Sequence, residues 1–320
     1  MSTLVFLEHH GSALQKGSLG VLTKAVSLDP ETSAVVVGSG VRELAAEAGR
    51  YGAATVHVAD DPSLEAPLPQ PRVDVIGRLV KDKGFDNVLF AASVLAADVA
   101  GGLSSRLDAG LNWDLGDLEM RDGQLVGKRS ALGDTVRVDV GWTTTPRLGL
   151  IRAGSFDPVE SAGAGTVEEV PVELEDFSSL AAMVEQAHEE QTGPSIDEAD
   201  ILVTGGRGLG SPEAFSILEE LASALGGAVA STRAVVDSGW YPYPTQVGQT
   251  GKVVSPRLYI GAGVSGAIQH KVGMQTSQVI VSINKDANAP IFDFSDLGVV
   301  GDVHEVIPKL TALVKERKGS

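Results

Sequence analysis

Residues 258–286, which read LYIGAGVSGAIQHKVGMQTSQVIVSINKD, have the side chains and the spacing best suited to binding a nucleotide. An apolar strand leads into a G-x-G-x-x-G sequence at residues 261–266. Glycines at this spacing let the backbone turn tightly and approach phosphate oxygens, and Ser265 can cap a helix whose free N–H groups would face them. Asp286 follows the last glycine by about 20 residues, the spacing of the acidic residue that binds a ribose in dinucleotide folds. The pattern predicts a nucleotide site.

Two further glycine clusters each join a predicted strand to a predicted helix. The cluster at residues 205–210 contains Arg207, whose guanidinium could bind a phosphate through two hydrogen bonds while the glycines allow close approach. The cluster at residues 38–40 lacks a third glycine at the required spacing, and we interpret it as a tight turn.

On glycine spacing alone, the chain could be an NAD-dependent oxidoreductase that uses the fingerprint Gly261–Gly266 and Asp286. No Tyr-x-x-x-Lys sequence and no evident acid and base pair accompany the fingerprint, which weakens this alternative but leaves it open.

Polar side chains on three successive connections favour a different cofactor. Thr232 and Arg233 follow one short strand, the segment Gln246–Thr250 follows an aromatic and proline-rich loop, and Gln269 and His270 open a helix. Because the carboxyl ends of parallel strands meet in one crevice, we expect these groups to converge. A flavin ring requires such donors and a positive potential near its pyrimidine edge. His270 alone could equally be a half-buried helix histidine.

The elements that would position these residues form two α/β series. Apolar strands alternate with helical segments over residues 1–100, residues 118–151 are rich in strands with a hairpin turn at 121–123, and a second series starts at Ile201. The sequence therefore predicts an N-terminal α/β domain with a mostly parallel sheet and a C-terminal Rossmann-like domain. An acidic stretch rich in Gly, Pro and Ser separates them, which predicts domains at residues 1–193 and 194–320.

Composition excludes several other classes of protein. The 320 residues carry a formal charge of −17 and no cysteine, which argues against a nucleic-acid partner, disulfides and thiolate metal sites. No apolar run reaches the ~18 residues of a membrane helix, so we expect a cytoplasmic protein that is not embedded in a membrane. His9 and His10 are adjacent on a predicted strand and would point to opposite faces, so no metal site is predicted.

The same residues resemble a known family. The segment LYIGAGVSGAIQHKVGMQTSQVIVSINKDANAPIF resembles the signature of the alpha subunit of electron transfer flavoprotein, and the resemblance extends through PTQVGQTGKVVSP, STRAVVDSGW, VTGGRGLGS and, more loosely, TLVFLEHH. It implies one FAD in the C-terminal domain and a heterodimer with a beta subunit, docked mainly by the N-terminal domain. It also implies electron transfer from flavin dehydrogenases, such as acyl-CoA dehydrogenases, to a membrane quinone reductase, without a substrate reaction of the protein's own. Homologues serving nitrogen fixation or electron bifurcation share these motifs and remain an alternative.

The resemblance also implies roles for individual residues. Arg233 would lie beside the isoalloxazine ring, Thr250 near N5 and His270 near O2, where they would tune the flavin. The full set of residues that the resemblance and the motifs predict to bind FAD is Arg207, Thr232, Arg233, Gln246, Val247, Gly248, Gln249, Thr250, Gly263, Val264, Ser265, Gly266, Ala267, Gln269, His270, Asn284, Lys285, Asp286 and Asp302. Two positions depart from the family: Thr232 replaces a common serine, and Gly261 stands where relatives lack glycine, so the G-x-G-x-x-G match is partly accidental.

Overall fold

The computed structural model describes residues 2–132, 136–161, 163–185, 195–197 and 199–319. The chain divides into two compact units, Met1–His188 and Glu189–Ser320. The predicted boundary at 193/194 lies outside the described residues and stays a prediction. Within the part of the chain described, no helix is long and apolar enough to cross a membrane.

The first unit is built on a nine-stranded sheet with the order β11-β5-β4-β1-β6-β10-β7-β8-β9. Its strands are β1 (Thr3–Leu7), β4 (Ser33–Gly38), β5 (Thr55–Asp60), β6 (Asn87–Ala91), β7 (Leu111–Arg121), β8 (Gln124–Ala131), β9 (Val136–Val140), β10 (Arg147–Ile151) and β11 (Thr166–Glu169), and a separate small hairpin pairs β2 (His9–His10) with β3 (Ala13–Leu14). The strands from β11 to β7 pair in parallel, whereas β7, β8 and β9 pair antiparallel. The mostly parallel sheet that the sequence predicted is confirmed.

Helices cover both faces of this sheet, because its central strands are apolar on both sides. The helices are α1 (Lys16–Leu28), α2 (Leu44–Arg50), α3 (Pro69–Lys83) and α4 (Val94–Leu107). Successive residues of β1 contribute to different cores: Val5 packs in the cluster with Leu22 of α1, and Phe6 packs in the cluster with Ile76 of α3. Two buried faces explain why such strands read as continuous apolar runs.

The predicted hairpin turn is also confirmed, since Asp122 and Gly123 adopt positive φ angles of 51° and 74° between β7 and β8. Two positive φ angles in a two-residue connection match the twist of an antiparallel pair. The sequence over Leu180–Gln191 predicts a helix, but Leu180–Glu185 contains none, and the remainder lies outside the described residues. The exposed Leu180 and Val184 find no apolar surface there, so periodicity alone did not produce a helix.

The second unit is a six-stranded, wholly parallel sheet with the order β14-β13-β12-β15-β16-β17. Its elements are β12 (Ile201–Gly205), α5 (Phe215–Leu225), β13 (Ala228–Thr232), α6 (Arg233–Val236), β14 (Gln246–Val247), β15 (Leu258–Ala262), α7 (Ile268–Met274), β16 (Val279–Asn284), β17 (Leu297–Val300) and α8 (Val303–Lys318). In chain order the strands run 3-2-1-4-5-6, the arrangement of dinucleotide-binding folds. The predicted Rossmann-like domain is therefore confirmed.

One apolar cluster of this unit joins α5 and α8 to the sheet, and another holds Tyr259 of β15 against Met274 of α7. The strand order reverses between β12 and β15, so their carboxyl ends open the crevice in which such folds bind ligands. The two glycine clusters, at 205–210 and 261–266, follow these two strands.

Candidate cofactor-binding site

A cavity of about 460 Å³ opens at the carboxyl ends of β12, β13 and β15. Its volume falls within the usual range of small-molecule sites. The predicted residues that line it are Arg207, Thr232, Arg233, Val247, Gly248, Gln249, Thr250, Gly263, Val264, Ser265, Ala267, Gln269, His270 and Asn284. The three polar connections that the sequence singled out therefore meet at one site.

The remaining predicted residues do not line this cavity. They are Gln246, Gly266, Lys285, Asp286 and Asp302. Their contacts within the protein position neighbouring segments, and their direct contact with a cofactor stays a prediction.

Four other residues line the cavity without belonging to the predicted set: Gly206, Gly208, Ala234 and Asp237. The two glycines belong to the cluster that carries Arg207, so the cluster rather than its arginine alone forms the wall. Asp237 follows Arg233 by four residues and pairs with it at 3.3 Å. The i,i+4 spacing of Arg233 and Asp237 is the sequence pattern from which this ion pair could have been predicted.

The loops after β12 and β15 lie against each other with no room for side chains. The amide of Gly208 donates to the carbonyl oxygen of Gly263 at 3.0 Å. A Cβ at Gly208 would lie 2.6 Å from the Cα of Gly263, and a Cβ at Gly206 would collide with the Gly263 carbonyl. Gly263 also adopts a φ of +64°, which disfavours other residues. Backbone therefore lines this part of the cavity.

The three glycines of the G-x-G-x-x-G sequence differ in what they do. Gly261 lies within β15, and a Cβ there would meet the Tyr259 ring at 3.1 Å without touching any backbone. Gly266 adopts a φ of +85°, and a Cβ there would collide with the backbone of Ile291. Backbone packing therefore requires glycine at the second and third positions but not at the first. This agrees with the interpretation that Gly261 matches the dinucleotide fingerprint by accident.

Ser265 does not cap the following helix, contrary to the sequence prediction. Helix α7 begins at Ile268, its N-cap is Ala267, and no side chain caps it. The carbonyl of Ser265 instead accepts from the amide of Ile291 at 3.1 Å. Ser265 is exposed on the cavity wall, where its hydroxyl is available to a ligand.

The segment Gln246–Thr250 is hydrogen-bonded internally and to α7. The buried Gln246 donates through Nε2 to the Thr250 hydroxyl at 3.2 Å, and the amide of Gln249 donates to the carbonyl of Gln269 at 2.8 Å. Gln246 therefore stabilises the loop from its buried side. Gln249 and Thr250 are exposed and line the cavity.

Asn284, Asp286 and Asp302 organise the loop beyond β16. Asn284 donates through Nδ2 to the Val264 carbonyl at 2.9 Å and accepts from the amide of Asp286 at 3.0 Å. Asp302 caps α8 by accepting from the amide of His304 at 2.9 Å, and its carboxylate lies 4.0 Å from Lys285 Nζ. His304 in turn donates through Nε2 to the Leu209 carbonyl at 3.1 Å, which ties α8 to the first glycine loop.

His270 forms a buried part of the cavity wall. It is 7% exposed, its Nδ1 lies 3.1 Å from the carbonyl oxygen of Val247, and its Nε2 lies 2.7 Å from the hydroxyl of Tyr259. Burial lowers the pKa of His270 to about 4, although the hydrogen bond to Val247 acts in the opposite direction. At neutral pH the ring is therefore uncharged in this structure.

The positive potential of the cavity instead comes from arginines. Among the described residues of its wall, Arg207 and Arg233 are the cationic ones, and Asp237, beside Arg233, is the one carboxylate. All three side chains are exposed, so each can reorient toward a ligand. Guanidinium groups beside a backbone surface without side chains suit a phosphate group, and the hydroxyl, amide and imidazole groups suit a polar heteroaromatic ring. This set of donors fits a flavin nucleotide.

Comparisons with known proteins agree with this chemistry. The family model described as electron transfer flavoprotein domain matches residues 3–175, and the one described as electron transfer flavoprotein FAD-binding domain matches residues 195–275. The chain is 42% identical over 320 residues to the electron transfer flavoprotein subunit alpha of Mycobacterium leprae, covering 99% of each chain. It is 43% identical to that of Mycobacterium tuberculosis H37Rv, with the same coverage. It is also 38% identical to Protein FixB of Clostridium saccharobutylicum, covering 98% of this chain and 96% of the relative.

Proposed function

Because the chain belongs to the electron transfer flavoprotein family, as an alpha subunit with an FAD-binding domain, we propose that it carries electrons on bound FAD and converts no substrate itself. The observation that supports this most directly is the cavity at the strand-order reversal. Two glycine loops, two arginines and the buried His270 meet there, within or next to the segment that the FAD-binding family model matches.

FAD supplies a ring that accepts and returns electrons, and the protein supplies binding, orientation and electrostatics. The backbone of the glycine loops and Arg207 bind the phosphate-bearing part. Gln249 and Thr250, held in place by Gln246 and α7, orient the ring through hydrogen bonds. Arg233 provides positive potential that favours added negative charge. His270 contributes a neutral, fixed polar edge.

The partners follow from the same proposal. The chain pairs with a beta subunit, mainly through its first unit, receives electrons from flavin dehydrogenases such as acyl-CoA dehydrogenases, and delivers them to a membrane quinone reductase. It acts in the cytoplasm. The full-length similarity to proteins named as alpha subunits supports a two-subunit assembly, and the formal charge of −17 supports partners other than nucleic acid.

Co-expression with the product of the neighbouring gene would test this function. A yellow heterodimer whose visible absorption bleaches on stepwise reduction supports the proposal, whereas a colourless protein that binds NADH supports the alternative oxidoreductase. The flavin content per heterodimer separates a further case: a second flavin, held by the beta subunit, would place the pair with the bifurcating homologues rather than with a simple carrier.

Replacing Arg233 with alanine is expected to weaken FAD binding by about tenfold to a hundredfold. A hydrogen bond to a charged group contributes about 1.5–3 kcal/mol, and the substitution also leaves Asp237 on the cavity wall without its cation. Retained flavin after dialysis, or a fluorescence titration of FAD into stripped protein, would measure the change.

Arg257→Ala provides the matched control. Arg257 is also exposed, but it directly precedes β15 and so lies at the amino ends of the strands, away from the cavity. It should leave FAD affinity unchanged. Equal affinities of the Arg233→Ala and Arg257→Ala proteins would contradict the assigned role of Arg233.

A further inference from the structure

The last strand of the second unit, β17, is a sheet edge without the usual protection. Among the described residues it pairs with β16 only. All residues of Leu297–Val300 are uncharged, and Leu297 and Val300 are 57% and 60% exposed. Natural edge strands are shielded by charges, prolines, shortness or a covering segment, because a bare edge pairs with other chains. This strand therefore calls for something that covers it.

The other edges of the two large sheets have such protection within the described chain. In the first unit, β11 carries Glu168 and Glu169, and β9 carries Arg137 and Asp139. In the second unit, β14 at the opposite edge is only two residues long, and both are buried. The bare edge is thus particular to β17 and is not a general property of this fold.

The hydrogen bonds beside β17 show which of its backbone groups face outward. The amide of Gly301, just past the strand, donates to the carbonyl oxygen of Asn284 in β16 at 3.1 Å. Backbone groups of successive residues point to alternate sides of a strand, so Leu297 and Val299 face β16 as Gly301 does. Gly298 and Val300 therefore turn both an N–H and a C=O away from the sheet, and both residues are exposed.

Apolar groups flank this edge on both faces of the sheet. On the face of α8, Leu297 lies opposite Val281 of β16, and Val281 and Val299 pack against the cluster that joins α5 and α8 to the sheet. On the other face, a Cβ at Gly298 would lie 2.7 Å from the ring of Phe292. An added strand would cover Leu297 on one side and extend the apolar surface at Phe292 on the other.

We propose that β17 accepts an additional strand from the partner subunit, so that the sheet of the second unit continues across the subunit boundary. The incoming segment is extended, places an apolar side chain beside Leu297 and carries a basic residue near Asp296. Its backbone bonds to the outward groups of Gly298 and Val300. The inference rests on the proposed function, which supplies the partner subunit, and it adds a contact to the one made by the first unit.

The charges around β17 favour a basic partner segment over a second copy of this chain. Asp293 and Asp296 are exposed just before the strand, and Asp302 follows it. Lys285 lies 4.0 Å from Asp302, so the amino end of β17 is the more acidic. Two copies related by a twofold axis would pair β17 antiparallel, with Asp296 of one near Asp302 of the other. Each copy would also bring a formal charge of −17.

A permanent subunit also suits this edge better than a redox partner that binds and leaves. After each encounter, a transient partner would uncover the outward N–H and C=O groups and the exposed Leu297. A bare, apolar edge then pairs with other chains and aggregates. A strand from a subunit that stays bound removes the edge.

Hydrogen exchange resolved to single amides in the FAD-bound heterodimer tests the added strand. A bare edge predicts alternating rates, slow at Leu297 and Val299, which bond to β16, and fast at Gly298 and Val300. An added strand predicts slow exchange at all of these amides. Exchange at Gly298 and Val300 should be at least about tenfold slower than in the chain without its partner, the effect of one backbone hydrogen bond.

Val300→Pro removes an outward N–H without removing a hydrogen bond to β16, which is where an edge strand tolerates proline. It should raise the dissociation constant of the heterodimer by about tenfold, measured by dilution of labelled protein. Val300→Ala keeps the amide and is the matched control, with a much smaller effect. The FAD content and the unfolding temperature of both variants show whether the second unit is intact.

The charge of the incoming segment is tested at Leu297, whose side chain is exposed beside it. Leu297→Lys should weaken subunit association more than Leu297→Glu, because a lysine repels a basic segment and a glutamate attracts it. The difference should shrink as the salt concentration rises. This pair of variants also replaces Val300→Pro if proline prevents folding.

Fast exchange at Gly298 and Val300 in the heterodimer, or equal dissociation constants for Val300→Pro and Val300→Ala, would overturn the proposal. So would a larger loss of affinity in Leu297→Glu than in Leu297→Lys. Protection that appears in the chain alone as its concentration rises would identify a second copy as the occupant and overturn it as well. Failure of the proposed function has a different signature, since no heterodimer with bound FAD would then form.

Discussion

Gly263→Ala is expected to abolish FAD binding and to destabilise the second unit by about 3 kcal/mol or more. An added methyl group would lie 2.8 Å from the Cα of Gly208, where neither backbone can give way without separating the two glycine loops. The φ of +64° adds a further cost of about 1–2 kcal/mol for a residue with a Cβ. Overpacking of this kind contributes about 1–3 kcal/mol. Urea unfolding and flavin content after purification would measure both effects.

Gly210→Ala separates backbone strain from the collision. Gly210 belongs to the first glycine cluster and has a φ of +82°, but no heavy atom lies within 4 Å of a Cβ placed there. We expect a cost of about 1–2 kcal/mol and retained FAD binding. If both variants lost FAD to the same degree, the contact between the loops would not be what forms the site.

Acidification should destabilise the second unit by about 3 kcal/mol between pH 6.5 and pH 4 because of His270 alone. Burial lowers the pKa of His270 from 6.5 to about 4, so the unfolded chain binds a proton in this range and the folded protein does not. The contribution of His270 is therefore fully present above pH 6.5 and is lost as the pH falls toward 4. Urea unfolding of the FAD-free protein at several pH values would show the decline.

Trp240 can report on this unit separately, since the other two tryptophans, Trp113 and Trp142, lie in the first unit and can be replaced by phenylalanine. His270→Gln in the same background is the control. His270→Gln should be less stable at pH 7. Between pH 6.5 and pH 4, its free energy of unfolding should fall by about 3 kcal/mol less than that of the parent protein. Parallel declines in the two proteins would contradict a buried neutral histidine.

Burial of His57 should likewise make the first unit less stable as the pH falls. It is 3% exposed, and burial lowers its pKa more strongly than the nearby Glu168 carboxylate raises it. Its Nδ1 lies 3.5 Å from Glu168 Oε2 without forming a hydrogen bond. The stability of the first unit at several pH values, followed through the fluorescence of Trp113 and Trp142, therefore tests the lowered pKa of His57 independently of His270.

Much of the site was predictable because its residues follow strand ends. Arg233 begins the short helix directly after β13, and Thr250 lies just after β14, so the rule that parallel strands open toward one crevice brought them together. The reversal of strand order between β12 and β15 did the same for the two glycine loops. In both cases the site residues follow directly after their own strand in the sequence.

The sequence did not predict which glycines were required or how the helix after them begins. Gly261 and Gly263 look equivalent in the pattern, but Gly263 alone adopts a positive φ and lies against the backbone of the other loop. Ser265 has the right residue type for a cap, yet α7 starts at Ile268, because the carbonyl of Ser265 is bound by the amide of Ile291 from a later loop. Contacts between distant segments decided both.

By itself, the sequence determined the two α/β series, the Rossmann-like sheet and the set of polar residues at its carboxyl edge. These depend on apolar runs and turn residues, which act over short stretches of chain. The tertiary structure alone decided the state of His270. Its two partners, Tyr259 and Val247, lie 11 and 23 residues away along the chain, and its burial depends on strands that pair only after folding. Charge and tautomer are set by such surroundings, and residue spacing does not encode them.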